Sequence, residues 1–399
     1  TTWRNAAYNP SFKDKPYVGT MHNQVDELFN PGNYLENLLS ISHRWLTTNF
    51  FFAVSNRKEA GVIEGNDGFG MQTFRLNLDH QFVKGIDLSF SGLHTTSMRN
   101  NIPGNPLFTL TFMPPDVDLR SPNSDGTPFI LHADPQNNEA NPLYQINNLT
   151  NYTKTKRTMG NVLVRYKPLD FFNLEANLSY DRRDVNSSAI TPKGYKTLNP
   201  VGVSTGSRSF TNSGDQSING SILASFDQNF GDLSARAKFS YQILDQSGRS
   251  EGESGQNFAV NVLQTLSLTT QNWSVSSSET RVKGESYFFI TGLDYAGKYM
   301  VDAVLRNDGS SLFGPNQRRQ WYYRVSGAYR IAQESWWPLA DVVTDLKLRY
   351  SLGTAGALPG FSYQYETWSV SSGAISKGQL GNKDLRPEFS KEQEFGIEI

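Results

Sequence analysis

The stretch Phe171-Phe172-Asn173-Leu174-Glu175-Ala176-Asn177-Leu178-Ser179-Tyr180 alternates strictly between apolar and polar residues from Phe172 onward. On an extended chain Phe172, Leu174, Ala176, Leu178 and Tyr180 share one face, and Asn173, Glu175, Asn177 and Ser179 share the other. Leu233 to Tyr241 repeats the pattern, with Leu233, Ala235, Ala237, Phe239 and Tyr241 set against Ser234, Arg236, Lys238 and Ser240. The links between such segments are of two kinds. Val83–Gly85, Pro168–Asp170, Gly231–Asp232 and Asp294–Gly297 read as tight turns, whereas Arg99–Thr155, Asp184–Asp215, Asp245–Lys283 and Thr354–Ser390 read as long loops. A barrel standing in an outer membrane has this asymmetry, with short periplasmic turns and long extracellular loops. The predicted fold class is all-β, a transmembrane antiparallel β-barrel.

Composition agrees with that expectation. Of 399 residues 37 % are hydrophobic, and no run approaches the roughly 18 apolar residues a spanning helix needs. A barrel strand escapes that requirement because only alternate residues meet lipid. Aromatics make up 13 % of the chain and fall into two groups. Phe82, Phe171, Phe172, Phe230, Tyr295, Tyr299, Trp336 and Trp337 lie beside short links, and Tyr180, Tyr241, Trp321, Tyr322 and Tyr323 lie nearer long ones, as two interfacial girdles would. A net charge of −1 offers no general attraction to nucleic acid, and the lack of cysteine removes disulfides and thiolate metal sites.

About twelve strands are predicted, over residues 43–55, 71–82, 86–97, 157–167, 171–182, 217–229, 233–244, 284–293, 298–306, 321–332, 344–353 and 392–399. Residues 258–268 are predicted as a further strand or a folded part of a loop. Residues 1–42 read as an irregular lead-in and 43–399 as a partial barrel. Thr1 is not an initiator methionine and Ile399 falls inside an alternating run, so the chain is predicted to be an interior piece of a longer polypeptide. The polar strand faces carry Arg75, Asp79, Asp87, Arg165, Glu175, Arg236, Lys238, Lys298, Asp302, Arg306, Arg324, Arg330, Lys347 and Arg349. A charge facing mid-bilayer lipid costs ~2–4 kcal/mol, so these side chains are predicted to face a wet lumen.

No catalytic constellation emerges. Gly202-Val203-Ser204-Thr205-Gly206 matches a nucleophile-elbow pattern but lacks the flanking strand and helix that such a turn requires. Asn123-Ser124-Asp125-Gly126 resembles the middle of a calcium loop, yet Ser121 and His132 stand where its terminal acids belong. It reads better as a turn, with a loop calcium at Asp116 or Asp118 as the alternative; no cofactor is predicted. The five histidines, His22, His43, His80, His94 and His132, show no metal spacing.

Arg306-Asn307-Asp308-Gly309-Ser310-Ser311-Leu312-Phe313-Gly314 resembles the signature of SusC/RagA-type TonB-linked outer-membrane transporters. Further blocks resemble that family in the same order. They are Tyr329-Arg330-Ile331-Ala332-Gln333-Glu334, the strand Leu346 to Gly356 with Gly353, and Asn382-Lys383-Asp384-Leu385-Arg386-Pro387-Glu388. The resemblance implies a 22-stranded barrel in the bacterial outer membrane, of which this chain holds about half the wall. The plug and Ton box that the family possesses, and its final strands, have no counterpart in this sequence. It also implies TonB-dependent import of a glycan or peptide, with a SusD-like lipoprotein as lid, TonB as the energising partner, and lipid and lipopolysaccharide around the wall. Trp273, Tyr365 and Trp368 are the candidate loop contacts to substrate. A passive porin is the alternative function, and a soluble β-rich binding protein a weaker one.

Overall fold

The computed structural model describes residues 20–131, 140–198, 201–339 and 341–399. Its strands are β1 (Tyr34–Trp45), β2 (Thr48–Glu59), β3 (Phe69–Val83), β4 (Ile86–Asn100), β5 (Thr150–Leu169) and β6 (Phe172–Thr191). There follow β7 (Lys196–Leu198), β8 (Val201–Val203), β9 (Ser207–Phe230), β10 (Leu233–Phe258), β11 (Thr269–Tyr295), β12 (Tyr299–Ser310) and β13 (Arg319–Arg330). The last are β14 (Lys347–Ala357), β15 (Trp368–Ser371), β16 (Ala374–Lys377) and β17 (Glu388–Glu398). Thirteen of them form one sheet in the order β1-β2-β3-β4-β5-β6-β9-β10-β11-β12-β13-β14-β17, while β7–β8 and β15–β16 are small separate hairpins in loops. Every neighbouring pair in the large sheet is antiparallel, the up-and-down order expected of a barrel wall.

Links at one end are 46–47, 84–85, 170–171, 231–232, 296–298 and the longer 331–346. Links at the other end are 60–68, 101–149, 192–206, 259–268, 311–318 and 358–387. The tight turns need left-handed backbone, found at Gly85 (φ 87) and Gly231 (φ 61), where a side chain would be strained.

Three expectations are corrected. The segment 43–55 is not one strand. It is cut by a turn at Leu46 and Thr47, so among the described residues the wall has thirteen strands, the first starting at Tyr34, ahead of the expected boundary at residue 43. Leu46 takes φ 40 there and is 97 % exposed, a turn without glycine or proline to announce it. Residues 1–19 of the expected lead-in lie outside the described residues, as does His132. Asp184–Asp215 and Asp245–Lys283 are not long loops. The ladders β6–β9 and β10–β11 continue through most of both, leaving 192–206 and 259–268 as the links. Residues 259–268 form a loop with a single 3-10 turn at Leu266–Leu268, not another strand.

Hydrophobic burial is concentrated at the long-link end. Leu28, Ile63, Met113, Val117, Leu119 and Leu143 form a packed cluster that fastens the 101–149 loop to the short helix Gln24–Leu28. Asn141, wholly buried, accepts from the Leu143 amide at 3.0 Å and donates to the Leu119 carbonyl at 2.7 Å. Along the wall the apolar face is instead uncovered: Leu178, Phe239, Val301 and Leu305 are each more than 40 % exposed. A contiguous face of that kind needs a non-aqueous neighbour, which removes the soluble alternative.

Hydrogen exchange tests the lengthened hairpin. Amides in 245–254 and 274–283 should exchange with the protection of paired strand, and those in 260–264 as open loop. Equal, rapid exchange across 245–283 would return the segment to a loop.

Candidate functional site

Register carries side-chain facing from strand to strand, because directly opposed residues share a face. Arg75 opposes Leu93 on β4, which shares its face with Asp87, and Asp87 opposes Arg165, which opposes Glu175. Arg236 opposes Gly292, which opposes Asp302. Arg324 opposes Val304 and Gly353, and Arg330 opposes Lys347. Followed through the sheet, all fourteen predicted polar positions, with Asp79, Lys238, Lys298, Arg306 and Arg349 among them, fall on one face.

Charges on this face are paired across rungs. Arg236 reaches Asp302 at 3.1 Å by crossing β11 above Gly292, where a Cβ would lie within 2.7 Å of both side chains. Arg165 meets Glu175 at 3.5 Å, Lys347 meets Glu398 at 2.8 Å and Arg349 meets Glu394 at 3.0 Å. Arg306 bonds Asp308 at 2.5 Å, with its guanidinium 4.8 Å from the Phe288 ring centre. Around Arg306, Asp308 and Arg324 the face encloses a cavity of about 640 Å³. Its lining extends from Asn177 on β6 through Asn219 and Gln242 to Tyr322 on β13 and Gly356 on β14. Tyr322, expected in a girdle, lies on this face with its ring against Gly356.

Further polar residues on the face are not among the predicted ones: Arg157 and Asp181 stand at the ends of predicted strands, and Arg183 and Asp215 beyond them. Arg157 grips Asp181 through two bonds of 3.0 and 2.6 Å, and Arg183 and Asp215 oppose each other beside them. These groups border a second hollow of about 450 Å³ nearer the long links.

The signature residues Arg306 to Gly314 build a clasp between two long-end loops. The Ser311 amide donates to the Lys283 carbonyl at 2.9 Å, and its hydroxyl accepts from the Lys283 amide at 2.8 Å. Gln364 donates to the Ser311 carbonyl at 2.6 Å. The Ser310 hydroxyl accepts from the Leu312 amide at 3.2 Å, and Phe313 is 2 % exposed. Gly314 lies against the Lys383 backbone, and Asn316 donates to Asp384 at 3.3 Å. Asn382 completes the turn, accepting from the Asp384 amide at 3.0 Å and the Leu385 amide at 3.4 Å, before Glu388 opens β17. Gly309 sits under the Arg319 guanidinium, which also holds Glu285.

At the opposite end Glu334 draws together β12 and β13. It accepts from the Tyr299 hydroxyl at 2.6 Å, Lys298 at 3.0 Å and the Tyr329 hydroxyl at 3.4 Å, and the two tyrosine rings stack at 5.0 Å. The Tyr299 hydrogen bond, then that of Lys298, holds the Glu334 carboxyl below the usual range.

The remaining candidates are dispersed. Trp273 is on β11, not a loop, and its indole donates to the Thr269 carbonyl at 3.0 Å. Tyr365 and Trp368 share the 358–387 loop, half exposed, with Phe361 beside the first and the Lys377 ammonium 5.8 Å from the second. The Asn123–Gly126 segment is a turn, closed by the Gly126 amide on the Asn123 carbonyl at 2.8 Å, and Asp125 binds Lys196 at 2.7 Å. Ligand atoms of His22, Glu27 and Asp118 approach within 4.8 Å of one another. The carboxylate oxygens there already accept from Leu119, Arg120 and Ser121, so the group fastens the loop. Ser204 accepts from the Gly206 amide, with β9 rather than a helix following.

Fold and faces define a β-barrel of the bacterial outer membrane. The chain belongs to the family described as TonB dependent receptor-like, beta-barrel, which matches residues 95–399. It is similar to TonB-dependent receptor P39 of Formosa agariphila, 24 % identical over 88 % of this chain and 34 % of that protein. It is also similar to receptor P3 of the same organism, 21 % identical over 99 % of this chain and 41 % of that protein. The chain thus spans well under half of these relatives. Among solved structures the RagAB peptide transporter matches with a TM-score of 0.74 at 18 % identity, over 99 % of this chain and 46 % of that one. The siderophore receptor PiuA from Acinetobacter baumannii matches at 0.51 and 12 %, over 92 % and 52 %. Both likenesses concern the fold. The family is one of transporters, not enzymes.

Two substitutions test the clasps. Gly314→Ala forces a Cβ into the Lys383 backbone and should cost about 1–3 kcal/mol, read as faster limited proteolysis within 361–387. Unchanged cleavage would deny the clasp. Because the folded-state pKa of Glu334 is depressed, its contribution is complete above the ordinary glutamate pKa of ~4.3 and is lost as pH falls through the folded value. Glu334→Gln should lower the melting temperature at pH 7 and narrow its gap from the native protein as the pH falls toward 3. A pH-independent gap would contradict the ion pair.

Proposed function

We propose that this chain is the strand wall of a TonB-dependent importer carrying a large nutrient, a peptide or a glycan, across the outer membrane. The polar face lines the lumen and the apolar face meets lipid, since turning Arg236, Lys238 or Asp302 toward hydrocarbon would be costly. The observation that carries the reading is the cavity of about 640 Å³ on the polar face. It combines guanidinium, carboxylate, amide and phenol groups suited to a polar solute or to a plug surface. It lies beside the clasped loops, where a SusD-like lipoprotein would sit as lid. The RagAB likeness in fold and the family membership support the same reading.

Energy dependence separates an importer from a passive channel. In the full-length protein, uptake of the solute should stop when TonB is removed, and planar bilayers should record no steady open conductance. Uptake that persists without TonB, with a permanent ion current, would make the protein a porin. Facing has its own test. A cysteine at Ser240 should react with a water-soluble maleimide and one at Ala237 with a lipid-soluble reagent only; the reverse pattern would invert the wall. Trp368→Ala should reduce uptake several-fold if its ring stacks on the solute, and unchanged uptake would remove it from the solute path.

A further inference from the structure

The β10–β11 hairpin rises beyond the point where β12 ends, and it leaves one edge of β11 open. β11 pairs with β10 from Tyr295 up to Thr269, but with β12 only from Tyr295 to Gly284. The last bonds on the β12 side join Lys283 to Ser311, whose amide donates to the Lys283 carbonyl and whose hydroxyl accepts from the Lys283 amide. Main-chain groups alternate sides along a strand, so Arg281, Glu279, Ser277 and Val275 also direct N–H and C=O to that side. Among the described residues nothing bonds to them there, and residues 271–281 are all exposed.

Open edges are normally blunted by proline, lysine, a bulge or a covering loop. Residues 274–282 contain neither proline nor lysine and pair with β10 without a bulge. Arg281 is turned back onto β10, where it grips Asp245 at 3.0 and 2.6 Å. On the polar face the edge presents Ser276, Ser278 and Thr280, small side chains that leave the space beside them open. Its lower end is continuous with the lumen. Val282 borders both the cavity of about 640 Å³ and the hollow of about 450 Å³, and Ser310 and Phe313, where β12 leaves the ladder, line the first of these.

We infer that this edge captures incoming peptide by strand addition: an extended peptide pairs with Val275 to Arg281, collinear with β12, and its lower end reaches the cavity. This rests on the importer reading and narrows its cargo to peptide. The edge offers a donor and an acceptor together at every second residue, a repeat of about 7 Å. A polypeptide main chain matches that repeat, whatever its side chains. A glycan chain lacks the alternation of donor and acceptor. A second copy of the chain does not fit either. Barrel strands tilt by about 35–45°, so two walls upright in one membrane bring their β11 strands together crossed rather than antiparallel. Side chains of the added strand would point alternately over the serines of the polar face and outward, so the edge reads main chain and tolerates sequence.

The test uses the full-length protein in detergent, with a fluorescent decapeptide of alternating threonine and glutamine, its N-methylated forms and maltodecaose as probes. Fluorescence anisotropy should show saturable binding of the peptide. Ser277→Pro combined with Glu279→Pro removes two edge donors that β10 does not use. It should weaken binding about tenfold or more, the equivalent of two main-chain hydrogen bonds, whereas Ser278→Ala should leave it unchanged. A peptide N-methylated on alternate residues keeps one bonding edge and should still bind, and the fully N-methylated peptide should not. No binding to the native protein, equal binding by the proline variant or of the fully methylated peptide, or displacement by maltodecaose would each overturn the site. If the proline variant fails to fold, as judged by heat-modifiable mobility, the methylation series on the native protein decides. In cells, a benzoylphenylalanine at position 276 should crosslink to supplied peptide. Crosslinking to a surface lipoprotein alone would give the edge to that partner and overturn the peptide. Uptake separates the premise: edge binding with uptake indifferent to TonB sinks the importer and keeps the edge. TonB-dependent uptake of the fully methylated peptide at the rate of the unmethylated one sinks the edge alone.

Discussion

The structure depends on one constraint. In hydrocarbon no water is present to satisfy a peptide group, so every strand amide and carbonyl must find its partner on a neighbouring strand. Thirteen antiparallel strands, each paired to the next along the sheet, meet that demand without a crossover at every edge but the outer ones of β1 and β17. Once pairing is continuous, side-chain chemistry reduces to parity. A residue on β3 and a residue on β17 face the same medium if an unbroken series of opposed partners joins them. The ion pair that passes from Arg236 over Gly292 to Asp302 uses this rule across three strands. The glycine there is needed so that both side chains can lie over β11.

The sequence was most legible where the bilayer imposes the alternation. Phe172 to Tyr180 and Leu233 to Tyr241 could be assigned to strands and faces because one side must be greasy. Beyond Tyr180 and Ile243 the outward residues become Arg182, Asp184, Asp245, Ser247 and Arg249, and both sides of the strand are wet. The hydrophobic signal ended there, although the ladder did not. Polar rungs such as Arg281 to Asp245, at 3.0 and 2.6 Å, replace lipid contact in the extended part. The limit of the bilayer was therefore mistaken for the limit of the strand. The turn at Leu46 failed for the opposite reason. Trp45-Leu46-Thr47-Thr48 holds neither glycine nor proline, and its positive φ sits on a leucine, a residue type that gives no warning.

Much the same holds for the site. Polar faces were assignable from periodicity, but which charges meet could come only from register. Arg157, Asp181, Arg183 and Asp215 share the polar face; Arg157 and Asp181 stand at the ends of the predicted strands, and Arg183 and Asp215 lie just beyond them. The signature from Arg306 to Gly314 was recognisable as a pattern, while its physical work was not. Ser311 and Gly314 act on Gln364 and Lys383, some fifty or more positions later in the chain. Residues at such separation leave no local periodicity to read.

The long β10–β11 hairpin has a consequence for how such a wall can change in length. Beyond Ile243 its strands stand on twin rails whose rungs are fixed pairwise, Asp245 with Lys283 and Ser254 with Ser274. Inserting one residue into one rail would turn every residue above it to the opposite side, unless a bulge like that between Ser254 and Gln256 absorbed it. Growth that preserves both faces must add residues in even steps to each rail at once. The height at which this hairpin carries its tip is thus quantised, in increments of roughly 7 Å along the strand.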